Sequence, residues 1–85
     1  MDRLIVDVRE PEEYARGHVE GAMNIPPVKL MGDLSELQDI PKDSEIILYC
    51  LTGSRSNVAM RLLQAKGYTN LVNGINQDQV KAKYF

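Results

Sequence analysis

The sequence is poor in the residues that staple, ligate or anchor a chain. It has one cysteine, one histidine, one phenylalanine and no tryptophan among 85 residues. A single thiol excludes an internal disulfide and any multi-cysteine metal site. With only His18 beside it, a structural zinc has no ligand set to use. No apolar run approaches the length that spans a bilayer, and Met1-Asp2-Arg3 does not open a signal peptide. Bases are few and not interleaved with aromatics, so nucleic acid is not an expected partner. What remains is a chain with 44% hydrophobic residues and a net charge of −2. One small domain over residues 1–85 is expected, a monomer near the lower size limit for folding without staples.

The lone cysteine is placed where it can react. Ile46-Ile47-Leu48-Tyr49-Cys50 is an apolar, strand-like run, followed by the short loop Leu51-Thr52-Gly53-Ser54 and then Arg55. Beyond it Val58, Ala59, Leu62, Leu63 and Ala65 recur at helical spacing. A strand, a tight loop and a helix start therefore meet at the thiol. Amides of such a loop and of a first helical turn point into its mouth and favour an anion. Gly53 lets the backbone turn so that these amides converge. Arg55 adds a positive charge and a planar fork of donors for an oxyanion. A thiol in that setting is expected to ionise at about pH 3.5–7.5 instead of about 8.5. The competing reading, a buried and inert strand-end cysteine, is the usual fate of a free cysteine. The loop, the arginine and the helix start favour the nucleophile.

Charge is unevenly divided. Residues 1–45 carry a net −6 and residues 46–85 a net +4, with Asp78 the only acid of the second half. That balance places the thiol on the positive half, which suits a small anionic substrate; the favoured reading, however, is that Arg61, Lys66, Lys81 and Lys83 simply solvate helix faces.

The remaining elements follow from pattern and punctuation. Leu4–Val8 reads as a buried parallel strand interrupted by Asp7, whose carboxylate needs a partner that Arg9 can supply. Pro11 starts a short helix that Gly17 ends. A brief strand is expected around Ala22–Ile25, stopped by Pro26-Pro27. Residues 28–40 read as one or two short helical turns, with Asp33 as a cap. The central helix runs from Ser54 to Lys66 and closes on Gly67, with Tyr68 packing back. Asn70–Asn73 is the last expected strand, and Gly74 is expected to turn the chain into a polar tail. In that tail Val80, Tyr84 and Phe85 are expected to dock a final helix. Alternating strands and helices imply an α/β domain, an open and mostly parallel sheet with helices on both faces.

Two motifs carry a resemblance. Cys50-Leu51-Thr52-Gly53-Ser54-Arg55 resembles the six-residue active loop of rhodanese-type sulfurtransferases. Asp7-Val8-Arg9-Glu10-Pro11-Glu12-Glu13-Tyr14, then Gly17-His18-Val19, Gly21-Ala22 and Asn24-Ile25-Pro26, resembles the family's amino-terminal signature. The likeness runs from residue 4 to about 75. It implies a rhodanese-like sheet slightly truncated at the N-terminus, similar in layout to the mature periplasmic phage-shock rhodaneses. A lone reactive cysteine fits a cytoplasmic protein, and equally a periplasmic one if the chain is a processed form.

The resemblance implies a thiosulfate sulfurtransferase without a cofactor. Cys50 would be the catalytic residue, and Leu51, Thr52, Gly53, Ser54 and Arg55 would bind the substrate. A sulfane sulfur from thiosulfate or a similar donor passes to Cys50 as a persulfide, then to cyanide or a thiol. The alternatives are a sulfur-relay or non-catalytic binding module serving a protein partner, and a phosphatase or arsenate reductase of the same fold. The last needs five residues between cysteine and arginine, whereas four stand here, and Tyr49 occupies the place of the phosphatases' histidine. His18 is read as holding a turn, not as a partner of the thiol.

Overall fold

The computed structural model describes residues 3–32 and 34–85. The proposed Asp33 cap lies outside the described residues. Four strands, β1 (Arg3–Asp7), β2 (Met23–Asn24), β3 (Glu45–Cys50) and β4 (Leu71–Asn76), form one sheet in the order β2-β1-β3-β4. Every pairing is parallel. The helices are α1 (Pro11–Ala15), α2 (Pro27–Met31), α3 (Ser54–Ala65) and α4 (Gln77–Tyr84), with a 3-10 turn at Ser35–Leu37.

Side-chain alternation along β3 explains the two-layered burial. Ile46, Leu48 and Cys50 share one face with Val6, Val8, Leu30, Ala59 and Leu63, under α2 and α3. Ile47 and Tyr49 point the other way, onto Val19, Ala22 and Val80 of α4. A strand buried on both faces must be apolar throughout, which is why β3 reads as a continuous hydrophobic run. The nucleophile candidate thus sits at the C-terminal end of the central buried strand.

The first three expected strands, the central helix and its Gly67 stop are found within a residue or two, and the last strand starts within one residue of its expected position. Gly67 takes φ +100°, and Tyr68 is buried with its amide on the Leu63 carbonyl. Two tail expectations are corrected. Gly74 does not turn the chain: β4 continues through it to Asn76, whose side chain caps α4 by accepting from the Gln79 amide at 2.9 Å. Leu48 pairs with Asn73 and Tyr49 with Ile75, so Gly74 is the extra residue of a β-bulge. Its glycine is demanded by space, since a Cβ there would meet Val80 Cγ2 at 2.7 Å and Ile47 Cγ2 at 2.9 Å. Phe85 does not dock and stands 69% exposed, while Val80 is fully buried.

Gly74→Ala is therefore expected to lower stability by about 1–3 kcal/mol through overpacking between β3 and α4. Equilibrium urea unfolding measures it. A stability equal to wild type would mean that α4 does not press on the bulge.

Candidate active site

The amino-terminal signature residues converge on one buried network. Arg9 donates from Nε and Nη2 to both oxygens of Asp7 at 2.7–3.1 Å, and its amide donates to Asp7 Oδ1 at 2.9 Å. Arg9 Nη2 also donates to the Gly17 carbonyl at 2.8 Å. The Tyr49 hydroxyl donates to Asp7 Oδ2 at 2.8 Å and accepts from the Val19 amide at 3.0 Å. Burial, foremost, pushes the Tyr49 phenol above its ordinary range, so it stays a protonated donor. The Asn24 amide ties the Asp7 and Arg9 carbonyls, each at 3.0 Å. This network fixes Tyr49, the residue immediately before Cys50. His18 holds its turn as expected: its ring stacks on Tyr14 at 3.6 Å and Nδ1 lies 2.8 Å from the Tyr14 carbonyl.

Cys50 ends β3 with 1% of its surface exposed. The chain then turns through Leu51 and Thr52 to Gly53, which takes φ +93° at the N-cap of α3. That conformation aims the Gly53 amide at Cys50 Sγ, 3.2 Å away. Ser56 Oγ, one turn into α3, stands 3.5 Å from the same sulfur. Burial, the largest influence, pushes the thiol up. The Ser56 hydroxyl and the amides of Ser56, Gly53 and Thr52 pull it further down, leaving its pKa at about 7. The buried sulfur is thus easier to ionise than an ordinary cysteine thiol.

Ser56 and Asn73 are site residues that the sequence reading missed. Asn73 Nδ2 donates to the Gly53 carbonyl at 3.0 Å. Asn73 Oδ1 accepts from the Ile75 amide at 3.0 Å and from the Ser56 hydroxyl at 2.6 Å. Ile75 itself adopts φ +76°, a strained conformation for a β-branched residue. The bulge on β4 thus braces the floor of the loop. A serine beside an arginine in a helix's first turn carries no sequence signal beyond its spacing, and Asn73 lies 17 residues away.

The other loop residues are arranged around the sulfur. Leu51 is 54% exposed at the rim. Thr52 and Ser54 face solvent with their hydroxyls 3.2 Å apart. Arg55 projects toward α1 and forms a two-pronged pair with Glu13, at 2.7 and 3.1 Å. The Arg55 hydrogen bonds, with one from the Glu10 amide, lower the Glu13 carboxyl to about 2. The pair is closed at neutral pH, and Arg55 keeps three of its five N–H donors. An open pocket over the sulfur is lined by Cys50, Leu51, Asn76, Gln77 and Asp78, so the start of α4 walls the entrance.

The candidate site is thus a thiol at the end of the central parallel strand of an α/β domain, with a loop amide and a serine hydroxyl of the following helix start directed at its sulfur. The family model described as the rhodanese-like domain matches residues 1–77. The chain belongs to the rhodanese-like family. It is 38% identical over 72 residues to a sulfurtransferase of Allochromatium vinosum, covering 85% of this chain and 64% of that protein. It is 37% identical over 68 residues to the thiosulfate sulfurtransferase PspE of Escherichia coli, covering 80% and 64% respectively. The chain thus matches just under two thirds of the length of these curated relatives. Among solved structures, a rhodanese with anions from E. coli superposes with a TM-score of 0.79 at 31% identity. That match covers 91% of this chain and 89% of the other. No described helix is long and apolar enough to cross a membrane.

Proposed function

We propose that residues 1–85 act as one rhodanese-like domain that moves a sulfane sulfur from thiosulfate or a similar donor to cyanide or a thiol, through a persulfide on Cys50. The observation that carries this reading is the Cys50 thiol at the end of β3, with the Gly53 amide 3.2 Å and the Ser56 hydroxyl 3.5 Å from its sulfur; with the Ser56 and Thr52 amides they lower its pKa to about 7 against the opposing effect of burial. The thiolate attacks the outer sulfur of thiosulfate, the S–S bond breaks, and its electron pair leaves with sulfite. The new Cys50 Sγ–S bond is then attacked at its outer sulfur by the acceptor, which returns the thiolate. Splitting one transfer into two displacements is covalent catalysis. The loop Leu51–Ser54, with the amides of Thr52 and Gly53 and that of Ser56 behind it, cradles the persulfide anion, and Arg55 orients the sulfonate end of the donor. PspE is named as a thiosulfate sulfurtransferase and the E. coli rhodanese was solved with anions, which supports an anionic donor here.

Mixing the protein with excess thiosulfate should release sulfite in a burst of one equivalent per Cys50, followed by turnover when cyanide is added. No burst from folded, reduced protein would overturn the reading.

Ser56 sets the pH dependence. Its single proton faces three acceptors: Cys50 Sγ at 3.5 Å, the Gly53 carbonyl at 3.2 Å and Asn73 Oδ1 at 2.6 Å. Ionising the thiol draws that proton toward sulfur at the expense of Asn73, so the hydroxyl's net help is moderate. Ser56→Ala should raise the pKa of Cys50 by about one unit. The midpoint of the alkylation rate against pH moves upward with it. A midpoint that stays near 7 would leave the amides as the whole cause.

A further inference from the structure

From the charges around the pocket over Cys50, we infer that Asp78 discriminates among sulfur acceptors, disfavouring anionic thiols, so that the preferred acceptors are thiols carrying a positive charge close to the reacting sulfur. This rests on the sulfurtransferase reading and narrows its acceptor. Of the pocket's lining residues, Cys50, Leu51, Asn76, Gln77 and Asp78, only Asp78 bears a fixed charge. Arg55, the cation of the Cys50 loop, does not line this pocket and is held by Glu13 through two hydrogen bonds. Lys81, one turn along α4, lines a separate groove with Val19, Glu20 and Phe85. Among the described residues Asp78 forms no ion pair.

The +4 of residues 46–85 is therefore not the field at the mouth. The pocket has two levels of opposite preference. At the floor, the Gly53 amide and Ser56 hydroxyl receive the negative sulfur that is transferred. At the lip, a carboxylate on the second residue of α4 meets the body of the molecule that takes that sulfur. An acid in a helix's first turn is stabilising for the helix alone. Here the same charge also lines the pocket over the thiol, and selectivity is a readout that helix stabilisation leaves untouched.

Two nearly isosteric alkylating agents isolate the charge, neutral iodoacetamide and anionic iodoacetate. Their rate ratio at Cys50 is independent of the thiol's pKa and of any sulfur chemistry. In Asp78→Asn the iodoacetate-to-iodoacetamide ratio should rise about three- to ten-fold over wild type at low salt. In wild type the ratio should rise with salt as the lip is screened, which reads the same field without a mutation. Cys50 persulfide, formed beforehand, is then discharged with cysteamine or thioglycolate. The preference for cysteamine should fall by a similar factor in Asp78→Asn. An unchanged alkylation ratio in the folded variant, or a salt-independent ratio in wild type, overturns the role of Asp78. Failure to form the persulfide would instead overturn the sulfurtransferase reading, while the alkylation arm still decides on Asp78.

Discussion

Cys50→Ser is expected to reduce sulfur transfer to the uncatalysed background and leave the fold intact. The chain has no second thiol to substitute. A serine hydroxyl at this position remains protonated at neutral pH and forms no bond to a sulfane sulfur that an acceptor can reverse. Structurally the exchange is mild. The buried oxygen would find the Gly53 amide and the Ser56 hydroxyl where the sulfur finds them now, so no polar group is stranded. Loss of turnover with an unchanged melting transition is the expected pair of results, read by sulfite release and circular dichroism. A folded variant with wild-type turnover would remove Cys50 from its role.

The largest effect on stability is expected at Asp7, far from the pocket in function but one hydrogen bond from the residue before Cys50. Its carboxylate is fully buried and receives the Arg9 guanidinium, the Arg9 amide and the Tyr49 hydroxyl. Asp7→Ala leaves a guanidinium that is itself 5% exposed with only the Gly17 carbonyl, and strands the Tyr49 hydroxyl. Removing one partner of a buried pair costs about 3–5 kcal/mol, against a total stability of about 5–15 kcal/mol for a domain. A fall in the melting temperature of at least about 12 °C follows. Asp7→Asn, which preserves shape and one acceptor, should lose less. A loss under about 1 kcal/mol in Asp7→Ala would show that water reaches Arg9 and that the network is not a support of the loop.

What the sequence made legible was local. The end of β3, the loop and the start of α3 are written in consecutive residues: an apolar run, a glycine that must take positive φ, and helical spacing after it. The Asp7–Arg9 pair, two residues apart, was equally near the surface of the sequence. The contacts that shape the site were not, because they join residues distant in the chain. Glu13 reaches Arg55 across 42 positions and Asn73 reaches Ser56 across 17. Gly74 misled for another reason. A glycine that turns the chain and a glycine that admits a neighbouring methyl look alike in sequence, and only Val80 and Ile47 distinguish them. Summing charge over half the chain likewise hid that Arg55 is paired and that Asp78 stands at the mouth.

The central claim is that Cys50 carries the sulfur, and the intact mass of the reduced protein tests it most directly. After excess thiosulfate the mass should increase by one sulfur atom, the increase should vanish on adding cyanide, and Cys50→Ser should show none. A folded wild-type protein whose mass does not change, or a Cys50→Ser variant that gains the same sulfur, would contradict the account.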